Sequence, residues 1–432
     1  MEDLDFIKDA RFMSFLSPPS TEPALGFVNH VTSHIRLIEQ RQRARSKKNE
    51  ASFANGVGLV LGDLLLGFED EEKGNRLSYH PKSPMHFTGE VIGADTFTHI
   101  IEMLVKLGFI RELKGKNIRD FMFNKNAPQT YSAGYATRYL PLPPLIQLAT
   151  DYGLVIGQFQ EAFPTQLPTK VVEVKASKKP NELQSRMMKV KATSVSKKSE
   201  ELVLALNDYL DKAKLEGGYF KGFRRVFNEG DRKEFNYNLG GRLYCAGDKG
   251  YQNEKSEIRA QMTIGGEHVV EVDINASYLT ILHGLKGQKM PNRDDVYDIG
   301  LPRKVVKEWF TMTFGVQKFH KSWLNGQKQK LKEVCPEFED KMTMKYVENI
   351  VLQHFPIMQD WPEAGVRWSK LMFIESEIVI GTMLELMETY NAPSFPVHDS
   401  LIVRKSDQEL AMRVLSEQFK DKVGIEPRLK VK

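Results

Sequence analysis

The sequence predicts an α+β fold in two parts: a mainly helical N-terminal half and a C-terminal half in which an antiparallel sheet packs against helices. Three observations predict it. Apolar residues recur every three to four positions in residues 25–45, 95–107 and 143–152. After residue 199, short apolar runs with strand character alternate with helical segments. Between the halves, residues 164–198 lose periodicity and gain Lys, Ser, Thr and Pro, the composition of a basic linker. The expected organisation is a domain over 1–163, a linker over 164–198 and a second domain over 199–432.

The 432 residues are 41% apolar and 27% charged, an ordinary globular balance, with a net charge of +5. That excess is compatible with an anionic partner without requiring one. Cys245 and Cys335 stand far apart, and no Cys-x-x-Cys spacing exists. Neither a disulfide framework nor a zinc site is expected, and a reducing cytoplasm is the simplest setting. The N-terminus MEDLDFIKDARFMSF is acidic, unlike a signal peptide. No uncharged apolar run reaches the roughly 18 residues that span a bilayer, and no membrane partner is expected. The nearest run, Gly56 to Phe68, carries Asp63. Its GVGLVLG lacks the Lys-Ser/Thr of a P-loop, so its glycines read as packing positions.

Residues 1–24 read as irregular, with Pro18, Pro19 and Pro23 as breakers. Phe27, Val31, Ile35 and Ile38 then form one face of a helix. A second helix carries Phe97, Ile100, Ile101, Leu104 and Val105, capped by Asp95 or Thr96 and stopped by Gly108. FIRELKGKNIRDFMFN alternates around Gly115 and predicts a β-hairpin bearing Arg111, Lys114, Lys116 and Arg119. Helix, Leu-Gly-Phe-Ile and hairpin resemble a winged-helix domain, a fold that often binds DNA. A helical domain closed by a hairpin fits the same residues. A further helix runs from Pro143 to Tyr152. In the second half, SEELVLALNDYLDKAK is an amphipathic helix. The Arg, Lys, Phe and Tyr of GGYFKGFRRVFNEGDRKEFNYNLGGRLY suit phosphate pairing and base stacking.

Two segments carry candidate chemistry. In HVVEVDINASYLTILHG, Val269 to Val272 reads as a buried strand that ends in Asp273, with a helix after Ala276. A carboxylate there needs a partner, and a metal ion or the cap of the next helix would each supply one. In APSFPVHDSLIV, His398-Asp399-Ser400 sits at the tip of a hairpin. A hairpin aspartate beside a strand-end aspartate makes a two-carboxylate site of the kind that holds Mg²⁺. Two such ions about 4 Å apart clamp the attacking and leaving oxygens of an in-line displacement. Between these segments, a helix starting near Pro302 places Arg303 and Lys307 on one face, suited to a triphosphate or simply to solvent. In FIESEIVIGTMLELME, Glu375, Ser376 and Glu377 either face this site or form a surface face.

Taken in order, these pieces resemble the family A DNA polymerases over roughly residues 230–432. GGRLYCAGDKGYQNEKSEIRAQM resembles the family's Gly-Arg-Leu segment, VVEVDINASYLTIL its motif A, RKVVKEWFTMTFG its motif B and VHDSLIV its motif C. The helix Asp407–Phe419 and strand Arg428–Val431 resemble the end of the family's palm. The resemblance implies a palm with short fingers. It also implies two Mg²⁺ ions, for which Mn²⁺ substitutes, held by catalytic Asp273 and Asp399 with the carbonyl of Ile274. Arg303 and Lys307 would contact a nucleoside triphosphate, with Thr311 and Phe314 beside it. Arg242, Gln252, Arg259 and His398 would lie along a DNA primer-template.

This sequence also departs from the family. Phe314-Gly315 comes one residue early in motif B, and Thr311 replaces its second aromatic. Motif C reads His-Asp-Ser where the family usually has His-Asp-Glu. Tyr278 stands where the family has a glutamate that blocks the ribose 2′-hydroxyl, so Tyr278 is expected to select deoxynucleotides. His-Asp-Ser also occurs in single-subunit RNA polymerases, which keeps a primase or RNA polymerase open. A DNA-binding replication or regulatory protein with an inactive palm is the alternative of another class. The region before residue 200 shows no exonuclease carboxylate cluster and no long thumb. Proofreading is therefore not expected, and low processivity is, unless a replication partner compensates.

Overall fold

The computed structural model describes residues 10–69, 76–115, 135–179, 185–247, 250–316, 318–333, 335, 338–363 and 365–432. The N-terminal part is built on helices α1 (Glu22–Ile38), α2 (Lys47–Phe68), α3 (Ala94–Lys106) and α4 (Pro143–Asp151). Thr21 and Ser46 cap α1 and α2, their side chains accepting from Ala24 and Asn49 N–H. Helix α2 is long and apolar enough to cross a membrane, yet 72% of its most apolar window is buried inside the fold. Its glycines permit close packing. A Cβ on Gly62 would lie 2.2 Å from the Ser17 carbonyl oxygen. Buried Asp63 of α2 accepts from the Phe15 N–H at 2.7 Å, which fastens the incoming chain to the helix.

Strands β1 (Arg11–Phe12), β2 (Ser78–Tyr79), β3 (Ile110–Leu113) and β4 (Arg138–Pro141) form a sheet in the order β1-β2-β4-β3. Helix α3 followed by β3 is as expected. The partner of β3 is β4, in register from Ile110↔Pro141 to Leu113↔Arg138. The rest of the expected hairpin, with Lys116 and Arg119, lies outside the described residues.

The 164–198 stretch differs from the linker expected there. It contains β5 (Val172–Lys175) and β6 (Met187–Met188), and helix α5 (Ser194–Asp211) begins within it. Strand β5 runs parallel to β8 (Phe223–Phe227), which pairs with β9 (Gly240–Cys245), giving the order β6-β5-β8-β9. Val172 and Val174 alternate with charged residues, the ordinary pattern of a half-buried strand. The charge count hid it in the sequence. Arg224 of β8 donates to Glu173 of β5 (2.9 Å) and to Glu90 of the N-terminal part (2.8 Å), with all three side chains largely withdrawn from solvent.

The central sheet adds β7 (Leu215–Glu216), β10 (Thr263–Ile264), β11 (Glu267–Ile274), β12 (Ser394–Val397), β13 (Ser400–Arg404) and β14 (Leu429–Val431). Its order is β12-β13-β11-β10-β7, with β14 on β11. The main helices of this half beyond α5 are α6 (Ser277–Leu285), α7 (Arg303–Phe314), α8 (Met344–His354), α9 (Trp368–Tyr390) and α10 (Gln408–Val423). Val272, Ile274, Leu401, Val403, Phe395, Ile378 and Val414 share one core. The C-terminal half is thus the mixed α+β arrangement expected of it.

Arg224→Met leaves Glu90 and Glu173 facing each other without a cation. It is expected to lower unfolding stability by about 3 kcal/mol. Urea titration of the full chain measures it, and a loss below about 0.5 kcal/mol would mean that the pair of carboxylates is adequately hydrated.

Candidate active site

The candidate site begins with strand register. Antiparallel pairing sets Val269 against Arg404, and the ladder continues to Asp273 against Ser400. Asp399 therefore turns the corner of the β12–β13 hairpin next to Asp273, and its carbonyl accepts from the Ile274 N–H at 3.2 Å. The hairpin loop is His398-Asp399. His398 has φ 58°, in the left-handed region that glycine would occupy without strain. Beyond the other strand, the residue that caps α6, Ala276, has φ 52°. Non-glycine residues held in this conformation thus flank both aspartates.

A cleft of about 810 Å³ opens over this corner. One side is the sheet, with Glu271, Asp273, Ile274 and Asp399. The other is α7, with Arg303, Lys307, Thr311 and Phe314 at spacings of four, four and three, along one helical face. Tyr278 lines the cleft between them, its ring meeting Phe314 edge-on at 5.9 Å. Arg242, Arg259 and His398 also line it. Thus the expected site residues come together, apart from Gln252. Its side-chain oxygen accepts from Cys245 N–H (2.8 Å), and its amide donates to the carbonyls of Leu243 (3.1 Å) and Pro396 (2.9 Å). Gln252 braces β9 against β12 and does not line the cleft.

The charges are paired tightly. Arg242 donates to Glu375 of α9, and Arg259 donates to Glu271 at 2.7 and 3.0 Å. Lys432 lies 3.2 Å from Asp273 and 3.6 Å from Glu271. Arg303 pairs with Asp295 at the cleft mouth. Burial, Glu375 and Asp273 together push Asp399 up to about 7, against a smaller downward pull from Arg242. Desolvation in the cleft, then Arg242, holds His398 below the usual histidine range.

Among the described residues, no three His, Cys, Asp or Glu side chains converge as one ligand set. The donors at the corner are the carboxylates of Asp273 and Asp399, with the main chain of Ile274 beside them. Such a sparse oxygen set suits Mg²⁺, which retains waters and takes substrate oxygens. Sequence reading missed Glu271 and Lys432. The signal for Glu271 was present, since residues two apart on a strand share a face and Glu271 precedes Asp273 by two. Glu375, read as either site-facing or surface, is fully buried and bonded within the site.

No protein-family model matches the chain, and no curated protein matches it. Among solved structures, the chain is similar to the POL domain of Pol1 from M. smegmatis in complex with DNA primer-template and dNTP, at 12% identity and a TM-score of 0.30. The alignment covers 94% of this chain, which spans 65% of that one's length.

Asp399 binds its proton more tightly when folded, so its contribution favours the native state at low pH. That contribution is lost as pH rises through about 7. In metal-free buffer, Asp399→Asn is therefore expected to raise Tm more at pH 8 than at pH 5. Melting curves at both pH values test this, and an equal shift at each would remove the electrostatic explanation.

Proposed function

We propose that this chain is a template-directed DNA polymerase that adds deoxynucleotides to a primer 3′-hydroxyl. One observation carries the reading: strand register brings Asp273 and Asp399 to one corner, facing the basic side of α7 across a single cleft. A carboxylate pair opposite a cationic helix face suits displacement at phosphorus.

In the reaction, the primer 3′-hydroxyl gives up its proton to water as its oxygen bonds to the α-phosphorus. The bond from that phosphorus to the bridging oxygen breaks, and pyrophosphate leaves. Asp273 and Asp399, with the carbonyl of Ile274, would hold two Mg²⁺ ions, or Mn²⁺ in their place. Bound there, the ions would supply charge stabilisation to the attacking and leaving oxygens. Arg303 and Lys307 neutralise the triphosphate, and Thr311 and Phe314 form the wall beside the nucleotide. Tyr278 stands against the sugar and excludes a 2′-hydroxyl. Arg242 and His398 lie beside the primer end, with Arg259 deeper on the sheet side. The partners are a DNA primer-template and nucleoside triphosphates. Residues 1–163 are assigned to nucleic-acid binding in a winged-helix-like domain. A replication partner would supply processivity.

Extension of a labelled primer on a DNA template with Mg²⁺ tests the proposal. Wild type is expected to extend with deoxynucleotides. Asp273→Asn and Asp399→Asn should each lower the rate by about 10³-fold or more, with folding intact by melting curve. Synthesis from ribonucleotides without primer would instead make the chain a primase. Bound DNA with no extension under any condition would make it an inactive palm.

Lys307→Ala is expected to raise KM for the deoxynucleotide roughly tenfold, with a smaller effect on kcat. An unchanged KM would remove Lys307 from the triphosphate site.

A further inference from the structure

Glu375 is the most deeply buried carboxylate around the cleft, with no exposed surface, on the face of α9 that packs under α6. A charge at that depth persists only when its lone pairs are filled. Its Oε1 accepts from Nε of Arg242 at 2.8 Å and from an Nη of the same guanidinium. Its Oε2 accepts from the Ser277 hydroxyl at 2.7 Å.

Both partners touch Tyr278. Ser277 is its chain neighbour and the first residue of α6, entered through left-handed Ala276. The Arg242 guanidinium carbon lies 5.8 Å from the centre of the Tyr278 ring. Phe314 meets the same ring edge-on, with centroids 5.9 Å apart. One carboxylate thereby fixes the backbone of Tyr278 through Ser277 and backs its ring through Arg242. Burial, followed by the charge of Glu375, pushes the Tyr278 phenol up, so it stays protonated.

We propose that Glu375 is a positioning residue that sets the sugar selectivity of the site by immobilising Tyr278. The inference rests on the polymerase reading above. A side chain that excludes one hydroxyl works only while its ring is held in place, since a tilt of about 1 Å opens room for the added oxygen. Neutralising Glu375 weakens its bonds to both Arg242 and Ser277. The consequence is freedom of the ring rather than loss of a contact with substrate.

The test is single-nucleotide incorporation by the full chain, comparing kcat/KM for a deoxynucleotide with that for its ribonucleotide. The variants are Tyr278→Ala, Glu375→Gln and Ser277→Ala, each checked by thermal melting. Glu375→Gln is expected to lower the deoxy-to-ribo ratio by about tenfold, with most of the change in ribonucleotide KM. Ser277→Ala keeps the Arg242–Glu375 pair and should lower the ratio by about threefold. It carries the test alone if Glu375→Gln does not fold. A ratio that stays at the wild-type value in the folded variants, while Tyr278→Ala loses selectivity, overturns the role of Glu375 and leaves the polymerase reading intact. An equal fall in both efficiencies makes Glu375 a structural residue only and also overturns it. Unchanged selectivity in Tyr278→Ala overturns it as well. No incorporation by wild type overturns the polymerase reading itself, and this inference with it.

Discussion

Five register pairs tie β11 to β13, and the last of them, Asp273 against Ser400, decides where charge collects in this protein. Once it forms, Asp399 has no place other than beside Asp273, and Glu271 lies two residues back on the same face. Glu375 reaches the same region from α9. Four carboxylates on the sheet side are met by Arg242, Arg259 and Lys432. Arg242 is committed to Glu375, Arg259 to Glu271, and Lys432 bridges Asp273 and Glu271. Asp399 is left without an ion pair of its own among the described residues, so the unbalanced negative charge falls on it. Burial first, then the charges of Glu375 and Asp273, raise its affinity for a proton towards neutral pH.

Backbone geometry serves the same corner. His398 and Ala276 both hold left-handed conformations that cost a β-carbon-bearing residue about 1 kcal/mol each. Surrounding contacts over-determine them. The β12–β13 hairpin is pinned at Pro396, whose carbonyl accepts from the Tyr251 hydroxyl (2.7 Å) and the Gln252 amide (2.9 Å). Gln252 thus helps to hold the hairpin that presents Asp399.

How much of this the sequence disclosed depended on the range of the interaction. Helices α3, α4, α7 and α9 follow from local periodicity, and the β12–β13 hairpin from apolar runs flanking a polar tip. Asp273 and Asp399 stood out because each interrupts an apolar segment. The roles of Gln252, Glu375 and Lys432 depend on partners distant in sequence. Gln252 bonds Pro396 and Glu375 bonds Arg242 and Ser277, and nothing in the flanking residues encodes which partner each finds. Helix α2 was missed for a different reason. Four glycines lower its propensity, but at Gly62 and Gly67 the close approach of Ser17 and Ser78 leaves no room for a side chain. Strand β5 was missed because Glu173 and Lys175 raised the charge of a segment whose valines carry the period.

The depth of each ion pair divides the cations of the cleft by what they can offer a ligand. Arg303 is 51% exposed in its pair with Asp295. A pair so open to water is worth little, so Asp295 orients the guanidinium without holding it strongly against a competing phosphate. Lys307, one turn on, makes no ion pair among the described residues. Arg242 is 16% exposed and its partner Glu375 fully buried, so breaking that pair would leave an uncompensated charge in the core. It therefore stays paired. Arginine has five N–H donors, and Glu375 occupies two of Arg242's, leaving others for acceptors in the cleft. A guanidinium neutralised in this way offers direction without net charge, whereas Arg303 and Lys307 offer charge. The exposed, loosely held cations of α7 and the buried, paired Arg242 thus lie on opposite walls of the same cleft.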